Sequence, residues 1–367
     1  MHTELFYQLA LTQIPNIGCV QAKILVENLG SAEAIFKAKK STLEKIEGIG
    51  TVRANSIKSF EDFTRSEEEL VFIEKYKIQP LFINDKHYPQ RLLNCYDSPT
   101  LLFYRGDANL NTAKTIAVIG SRSHTDYGKT FTEKLIKELA AENILIISGL
   151  AFGIDTVAHK ASLKNNLATV GVLAHGLDIL YPPENAKLAK QMVSGNGGIL
   201  TEFMSGTKPD RHNFPTRNRI VAGMADATIV IETDVKGGSM ITAELANNYN
   251  RDVFALPGKV TDIKSRGCNH LIKNNRAALL TSAQDVLEMM GWLPQPEKKK
   301  KIQRSLFVEL NAEEKVIVDL LNTVEQLPID ELYLKSGLNT SAVAAALLSL
   351  EMQGLVISLP GKVYKLS

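Results

Sequence analysis

Between Thr115 and about Gly291, short apolar runs alternate with longer segments in which apolar residues recur every three or four positions. The apolar runs are rich in β-branched residues, end at turn residues, and cover residues 115–119, 144–147, 169–173, 228–232 and 252–256. The segments with helical spacing are Tyr127–Glu142, Ile154–Asn165, Asn185–Val193, Thr216–Ala225 and Ser239–Asn250. Near-continuous apolar strands that alternate with amphipathic helices are typical of a parallel sheet covered on both faces. The pattern therefore predicts an α/β domain with an extended, Rossmann-like, doubly wound and mainly parallel sheet.

Residues 1–60 show helical spacing and contain a repeat, because Ile14–Leu25 and Ile46–Ile57 align without gaps. Both copies carry an Ile-Gly pair at the same place, and the second copy also has Gly48. The repeat resembles the helix-hairpin-helix motif (SAM-like), in which a tight turn between two helices offers backbone amides to a DNA phosphate. Two helical pairs that only pack on each other would show the same spacing, so both interpretations stay open. A charged helix follows at Glu61–Lys77, then a short extended stretch and a strand that leads into the α/β domain.

The C-terminal part has the pattern of a winged helix. Asn311 is placed to cap a first helix, Ile329–Ser336 and Thr340–Gln353 have helical spacing, and a hairpin turns at Pro360-Gly361. In versions that read DNA the third helix enters the major groove. Here that helix has no lysine or arginine, which favours a protein-contact or packing role over DNA reading. The predicted domains are 1–65 (helical), 66–292 (Rossmann-like, binding single-stranded DNA) and 306–367 (winged helix), with a lysine-rich linker at 293–305.

Composition restricts the possible functions. The chain has 367 residues and a formal net charge of +2, so a polyanion would have to be held by a local basic patch. Its three cysteines are scattered and form no CxxC pair, which predicts reduced thiols and no metal site. We see neither a signal peptide nor an apolar run long enough to cross a membrane. We therefore expect a cytoplasmic protein without a cofactor.

Small-residue turns follow several of the predicted strands, at the edge where ligands of such sheets bind. The first turn, Gly120-Ser121-Arg122, lies between a buried strand and a helix N-terminus, the usual arrangement for holding a phosphate. It lacks the further glycines of a dinucleotide fingerprint, and Arg122 stands where a pyrophosphate would need space. The other predicted turn residues are Gly149, Gly153, Gly176, Gly237, Gly238 and Ser239. Together these turns predict one large pocket whose phosphate ligand is a polymer.

A basic segment, residues 205–221, lies beside these turns in the sequence. The segment contains four basic residues and a single acidic one, and Phe214 lies among the basic residues, which are Lys208, Arg211, Arg217 and Arg219. Arginines interleaved with an aromatic ring are typical of single-stranded nucleic-acid sites, because guanidinium groups bind phosphates while the ring stacks on a base. The pattern places Arg217 and Arg219 in the first turn of a helix, where the helix dipole disfavours cations. That placement suggests a bound anion.

These stretches together resemble the DNA-processing protein A family (DprA/Smf). The resemblance rests on segments 117–128, 148–163, 176–185, 214–223, 237–246 and 267–272, in the family's order. It implies a cytosolic, homodimeric protein without enzymatic activity that binds single-stranded DNA and loads the RecA recombinase during natural transformation. The DNA-contacting residues that it implies are Arg122, Arg211, Phe214, Arg217, Asn218 and Arg219. Gly237-Gly238-Ser239 departs from the family's more usual S-G-S, so one side-chain phosphate contact is in doubt while the backbone donors remain.

Two enzymatic alternatives deserve mention. Gly237–Glu244 is similar to the signature of the nucleotide phosphoribohydrolases, which would make Arg122 a phosphate ligand and Glu244 the acid that cleaves an N-glycosidic bond. The proline of that signature is absent, as are the second glycine and the threonine after its glycine pair. A dinucleotide-dependent oxidoreductase would need the glycines that are missing after Gly120.

Overall fold

A computed structural model describes residues 4–293 and 310–367. The chain divides into two compact units, Met1–Leu279 and Leu280–Ser367. The predicted linker lies outside the described residues from position 294 onward, as do the first residues of the predicted winged-helix domain. The domain bounds given above stay predictions.

The N-terminal part of the first unit is helical, as predicted. Its helices are α1 (Glu4–Leu11), α2 (Cys19–Leu29), α3 (Ala32–Lys37), α4 (Lys40–Glu44), α5 (Gly50–Lys58) and α6 (Thr64–Tyr76). The turns before α2 and α5 are the two copies of the repeat. Gly48 and its counterpart Asn16 both have positive φ angles, 82° and 66°, which explains why Asn replaces Gly in the first copy. Arg53 joins the two turns by donating to the Asn16 carbonyl at 3.2 Å and the Gly48 carbonyl at 2.9 Å.

One mixed sheet follows in the first unit. Its strands are β1 (Gln79–Phe82), β2 (Leu101–Gly106), β3 (Thr115–Ile119), β4 (Leu145–Ser148), β5 (Thr169–Val172), β6 (Gly197–Thr201), β7 (Ala227–Val230), β8 (Asp252–Ala255) and β9 (Ala278–Leu279). Within the described residues the order of the nine strands is β1-β2-β6-β5-β4-β3-β7-β8-β9. The β1–β2 and β2–β6 pairs are antiparallel and the other pairs are parallel. The predicted extended Rossmann-like sheet is confirmed.

The helices of the α/β part are α7 (Gln90–Leu93), α8 (Asp126–Leu139), α9 (Ile154–Lys164), α10 (Ala186–Ser194), α11 (Asn213–Met224), α12 (Gly238–Asn248) and α13 (Arg266–Lys273). Helices α8 to α12 were predicted with somewhat different ends, whereas α7 and α13 were not predicted. Helix α11 begins at Asn213 rather than Thr216. This moves both of its arginines out of the first turn.

The sequence pattern did not place β1, β2, β6 and β9 in this sheet. Strand β6 begins with Gly197-Gly198, which looks like a turn in the sequence. A Cβ on Gly197 would lie 2.6 Å from the Thr169 carbonyl oxygen, and one on Gly198 would overlap the Tyr104 ring. The two glycines therefore let neighbouring strands approach closely, and they do not end the strand.

The winding of the sheet reverses between β3 and β7. From β3 the chain continues through β4, β5 and β6 on one side, and then crosses back to place β7, β8 and β9 on the other side. β3 and β7 are parallel neighbours, with Ile116 beside Ala227 and Ile119 beside Val230. Ligands of doubly wound sheets bind in the crevice at the carboxyl ends of the strands at such a reversal. A ligand-binding site is therefore expected in the segments that follow β3 and β7.

A continuous hydrophobic core joins the helical part and the sheet of the first unit. Buried residues such as Leu25 and Ile57 from the helices belong to the same cluster as Ala117 and Val172 from the sheet. Burying one such Leu or Ile side chain stabilises the fold by about 1.5–3 kcal/mol. This packing fixes the α/β part against the N-terminal helices.

The second unit contains the winged helix. Its elements are α14 (Ala283–Met289), α15 (Ala312–Asn322), β10 (Leu327–Pro328), α16 (Ile329–Ser336), α17 (Thr340–Met352), β11 (Val356–Leu359) and β12 (Val363–Leu366). Asn311 caps α15 as predicted, because its side chain accepts from the Glu314 amide at 2.8 Å. The strands pair in the order β10-β12-β11. Across residues 4–293 and 310–367, none of the helices combines the length and the apolar character that crossing a membrane requires.

Candidate nucleic-acid interface

A cleft of about 670 Å³ opens at the carboxyl ends of β3, β4 and β7, at the reversal of the sheet. Turns from three strands and the start of α11 and α12 form its walls. Most of the predicted site residues line it, namely Gly120, Ser121, Arg122, Gly149, Arg211, Phe214, Arg217, Asn218, Gly237, Gly238 and Ser239. The sequence-based prediction thus identified residues that the fold brings into one place.

Gly153, Gly176 and Arg219 do not line the cleft. Gly153 has a φ of 80°, and a Cβ there would lie 2.7 Å from the Cα of Arg122. A Cβ on Gly176 would lie 2.5 Å from the Met204 carbonyl oxygen. These glycines therefore allow close approach of backbone segments behind the cleft. Gly153 in particular lets the start of α9 pack against the turn that carries Arg122, where the Ile154 amide donates to the Ser121 carbonyl at 3.1 Å.

Arg122 and Phe214 are in direct contact in the cleft. The guanidinium carbon of Arg122 lies 5.0 Å from the centroid of the Phe214 ring, a cation–π arrangement. Arg122 is exposed, and the Tyr181 ring lies 6.2 Å from that of Phe214. A charged donor and two aromatic rings are therefore available side by side to a ligand that carries both phosphates and bases.

Arg217 forms the floor of the cleft and is almost fully buried. Its Nη1 donates to the Val172 carbonyl at 2.6 Å, and its guanidinium lies over Gly149, where any Cβ would overlap it. Burial, with the nearby charge of Arg122, lowers the pKa of Arg217 to about 10, although Asp155 acts in the opposite direction. Asp155 is buried too and accepts from the Gly149 and Ala151 amides at 3.2 and 3.3 Å. Arg217 is thus a buried support of the floor, contrary to the first-turn cation expected from the sequence.

Arg219 points away from the cleft into an ion pair with Glu202. It also donates to the Asp97 carbonyl. Burial raises the pKa of Glu202 to about 7. Burial lowers the pKa of Arg219, but Glu202 and the other anionic groups around it outweigh that effect and raise it. Residues two apart on a helix lie about 200° apart around its axis, so Arg217 and Arg219 project from different sides of α11.

The N-terminus of α12 opens into the cleft without a capping side chain. Gly237 is its N-cap residue, no acidic residue lies in its first turn, and a Cβ on Gly238 would meet nothing within 4 Å. Free amides at a helix start carry a partial positive charge and bind anions. The departure from S-G-S therefore leaves the backbone donors in place, as the sequence suggested. The N-terminus of α8, by contrast, is already occupied by the side chains of Thr125 and Glu232.

A contact from the helical part holds the loop that carries Arg211. Glu69 of α6 is buried, and its carboxylate accepts from the Ser205 amide at 3.1 Å and from the Ser205 hydroxyl at 2.6 Å. Arg65 pairs with Glu69 at 2.7 Å and donates to Ser205 as well. Sequence reasoning missed this clamp because its partners are far apart in the chain. The sequence signal for this contact was the position of Glu69, which lies on the same side of α6 as the apolar Ile73.

Other residues of the site were also not predicted. Tyr181 and Phe152 belong to separate loops, yet with Phe214 they line a narrow slot beside the main cleft. The acidic residues on the cleft rim, Asp210 and Asp234, accept from the neighbouring His212 and Val235 amides, each at 2.8 Å. In the part of the chain that the structure describes, no group of three or more His, Cys, Asp or Glu side chains is placed to hold a metal ion.

The family model for DNA recombination-mediator protein A matches residues 79–291, which contain the whole cleft. The chain belongs to the DNA recombination-mediator protein A family. Models for the DprA winged helix domain and for the helix-hairpin-helix motif match residues 307–362 and 8–69. The resemblance to DprA/Smf and the predicted fold of all three parts are therefore confirmed.

Relatives of this recombination-mediator family cover most of the chain. Protein Smf of Synechocystis is 32% identical over 399 residues, which span 99% of both chains. DNA processing protein DprA of Streptococcus pneumoniae is 41% identical over 239 residues, 62% of this chain and 84% of its own. Its crystal structure superposes with a TM-score of 0.67 at 35% identity, covering 78% of this chain and 97% of that one. DNA processing protein A of Helicobacter pylori superposes with a TM-score of 0.53 at 31% identity, covering 59% and 96%.

Proposed function

We propose that this protein binds single-stranded DNA in the cleft and loads the RecA recombinase onto it during natural transformation. The observation that carries the proposal is the contact between Arg122 and Phe214 beside the open N-terminus of α12. Guanidinium and backbone N–H groups bind phosphates, whereas the rings of Phe214 and Tyr181 offer stacking surfaces to unpaired bases. Bases in a duplex are stacked on each other, so this combination favours a single strand.

Family membership supports the same ligand. The Helicobacter pylori relative has a single-stranded DNA binding mode, and the Streptococcus pneumoniae relative is a DNA processing protein. The family itself is named for recombination mediation. Assembly as a homodimer and delivery of the strand to RecA rest on the resemblance alone, whereas action in the cytoplasm rests on the resemblance and on the sequence composition. Helix α17 has no lysine or arginine and a single glutamate, and its Leu348 and Met352 are exposed, so it is suited to contact protein rather than DNA.

Titration of fluorescent oligo(dT) against the full-length wild-type protein and two full-length variants tests the proposal. Arg122→Ala combined with Arg211→Ala should remove most of the affinity while the far-ultraviolet spectrum and the melting temperature stay close to wild type. Both side chains are exposed, so their loss does not disturb the core. Arg105→Ala is the matched control, because Arg105 is an exposed arginine on β2 that does not line the cleft. Unchanged affinity in the double variant at fixed salt would refute the assignment of the cleft.

The phosphoribohydrolase alternative gains no support from the cleft. Glu244, which would act as the acid, is exposed on α12 and does not line the cleft. The buried carboxylate at the floor, Asp155, is engaged with two backbone amides and with the charge of Arg217. Incubation with nucleoside monophosphates should therefore release no free base.

A further inference from the structure

The start of α8 is the position where a Rossmann-like fold usually holds a phosphate. It follows the first parallel strand of the winding, β3, and its amides point towards the reversal of the sheet. In this chain a buried carboxylate from a different strand already lies there. Glu232 comes two residues after the end of β7, the parallel neighbour of β3, and is only 2% exposed.

The carboxylate of Glu232 covers the first turn of α8. One oxygen accepts from the Thr125 amide at 2.9 Å, and the other accepts from the Thr125 hydroxyl. The Thr125 hydroxyl oxygen in turn accepts from the Gly128 amide at 3.2 Å. A Cβ built on Gly128 would lie 2.8 Å from both carboxylate oxygens of Glu232. The glycine at 128 therefore makes room for an internal anion, where dinucleotide-binding folds use glycines to make room for an external one.

The two helix starts at the reversal thus differ in charge. The α8 start has the Glu232 carboxylate and, in its first turn, Asp126. The α12 start has neither an acidic residue in its first turn nor a side-chain cap. A second anion at α8 would meet a buried like charge, and the Thr125 and Gly128 amides already have acceptors. A phosphate at α12 meets neither obstacle.

We propose that Glu232 is a specificity-determining residue. Its carboxylate occupies the phosphate seat of α8, which is the space beside the Thr125 and Gly128 amides at the start of that helix, and so excludes free nucleotides from it. The phosphate-binding capacity of the crevice is thereby moved to α12 and Arg122, which suits a ligand that spans the crevice. The role of Glu232 goes beyond the proposed function, and its test uses no DNA. A failed oligo(dT) titration would therefore leave the outcome of the pyrophosphate experiment unaffected.

The test uses inorganic pyrophosphate as the probe and thermal unfolding of the full chain as the readout, at constant ionic strength. Glu232→Ala opens the seat and removes the charge, so pyrophosphate should raise its melting temperature, by about 3 °C once the concentration exceeds the dissociation constant tenfold. Pyrophosphate bound by Arg122 and Arg211 would stabilise every variant alike, so the quantity compared is the excess over wild type. Glu244→Ala, at an exposed glutamate outside the cleft, is the matched control and should show no excess.

Glu232→Gln separates volume from charge. Its amide fills the same space and can still accept from Thr125, so it should show no excess response to pyrophosphate. An equal response in the glutamine and alanine variants would overturn the proposal, because the seat is still filled in one of them. A folded alanine variant with no excess response would overturn it as well. If the alanine variant does not fold, refolding with pyrophosphate at tenfold its dissociation constant must restore the folded protein. Failure to restore it would also overturn the proposal.

Discussion

Replacing Arg122 and replacing Phe214 should weaken single-stranded DNA binding in two distinguishable ways. Arg122 is exposed and carries a full charge, so its proposed contact is with a phosphate. The Phe214 ring carries no charge, and its proposed contact is a stacked base. Arg122→Ala therefore removes one phosphate contact, and Phe214→Ala removes one stacking surface, while the fold is the same in both.

The expected magnitudes follow from these roles. A hydrogen bond to a charged group contributes about 1.5–3 kcal/mol, so Arg122→Ala should lower affinity about 10- to 150-fold at low salt. Loss of one phosphate contact should also make the slope of log K against log [salt] shallower by about 0.7. Stacking contributes about 1–3 kcal/mol per base, so Phe214→Ala should lower affinity by a similar factor. Its slope should equal that of wild type, because no counterion is involved.

The assay is fluorescence anisotropy with oligo(dT) at several salt concentrations between 50 and 200 mM. Over that range the deficit of Arg122→Ala should shrink by about 2.5-fold, whereas the deficit of Phe214→Ala should stay constant. The double variant should lose less than the sum of the two single losses, because Arg122 packs on the Phe214 ring. A wild-type slope in Arg122→Ala would refute the phosphate contact. A shallower slope in Phe214→Ala would refute the stacking role.

Two further predictions concern stability. Arg217→Ala leaves the buried Asp155 carboxylate without its compensating charge, so the free energy of unfolding in urea should fall by about 3–5 kcal/mol. A loss below about 1 kcal/mol would contradict this charge compensation. Burial, with the charge of Arg217, lowers the pKa of His159 to about 3 in the folded state. As the pH falls below about 6.5, His159 therefore takes up a proton in the unfolded chain but not in the folded one. Stability should therefore drop on the order of 2 kcal/mol between pH 7 and pH 5 through this group, and His159→Gln should lack that component of the pH dependence.

Sequence patterns predicted local structure well where each element carries its own signal. Strand β3 is apolar at nearly every position, and Asn311 has the side chain that a helix N-cap needs. Strand β6 was missed because Gly197 and Gly198 weaken that signal. Their role depends on Thr169 and Tyr104, which lie across neighbouring strands.

The candidate site was likewise predicted where the sequence signal is local and missed where it depends on residues far apart in the chain. Strand ends followed by small residues were enough to predict the turns at Gly120 and Gly237, because parallel strands bring their carboxyl ends to one edge. The start of α11 was placed too late by the sequence pattern, and that error put Arg217 and Arg219 in the wrong environment. Helix geometry already separates the two arginines, so their spacing was a usable signal that they project from different sides of the helix.

The sequence by itself determined five strands of the sheet with the helices between them, the turns at Gly120 and Gly237, and the clustering of cations around Phe214, because all of these follow from short-range patterns. Only the tertiary structure decided which charges are free to bind a ligand. Arg122 is exposed at the cleft, Arg217 supports its floor, Arg219 is paired with Glu202, and Glu232 fills the helix start that would otherwise hold a phosphate. The physical reason is that the partner of a buried charge is set by packing between segments far apart in the chain, which no local pattern encodes.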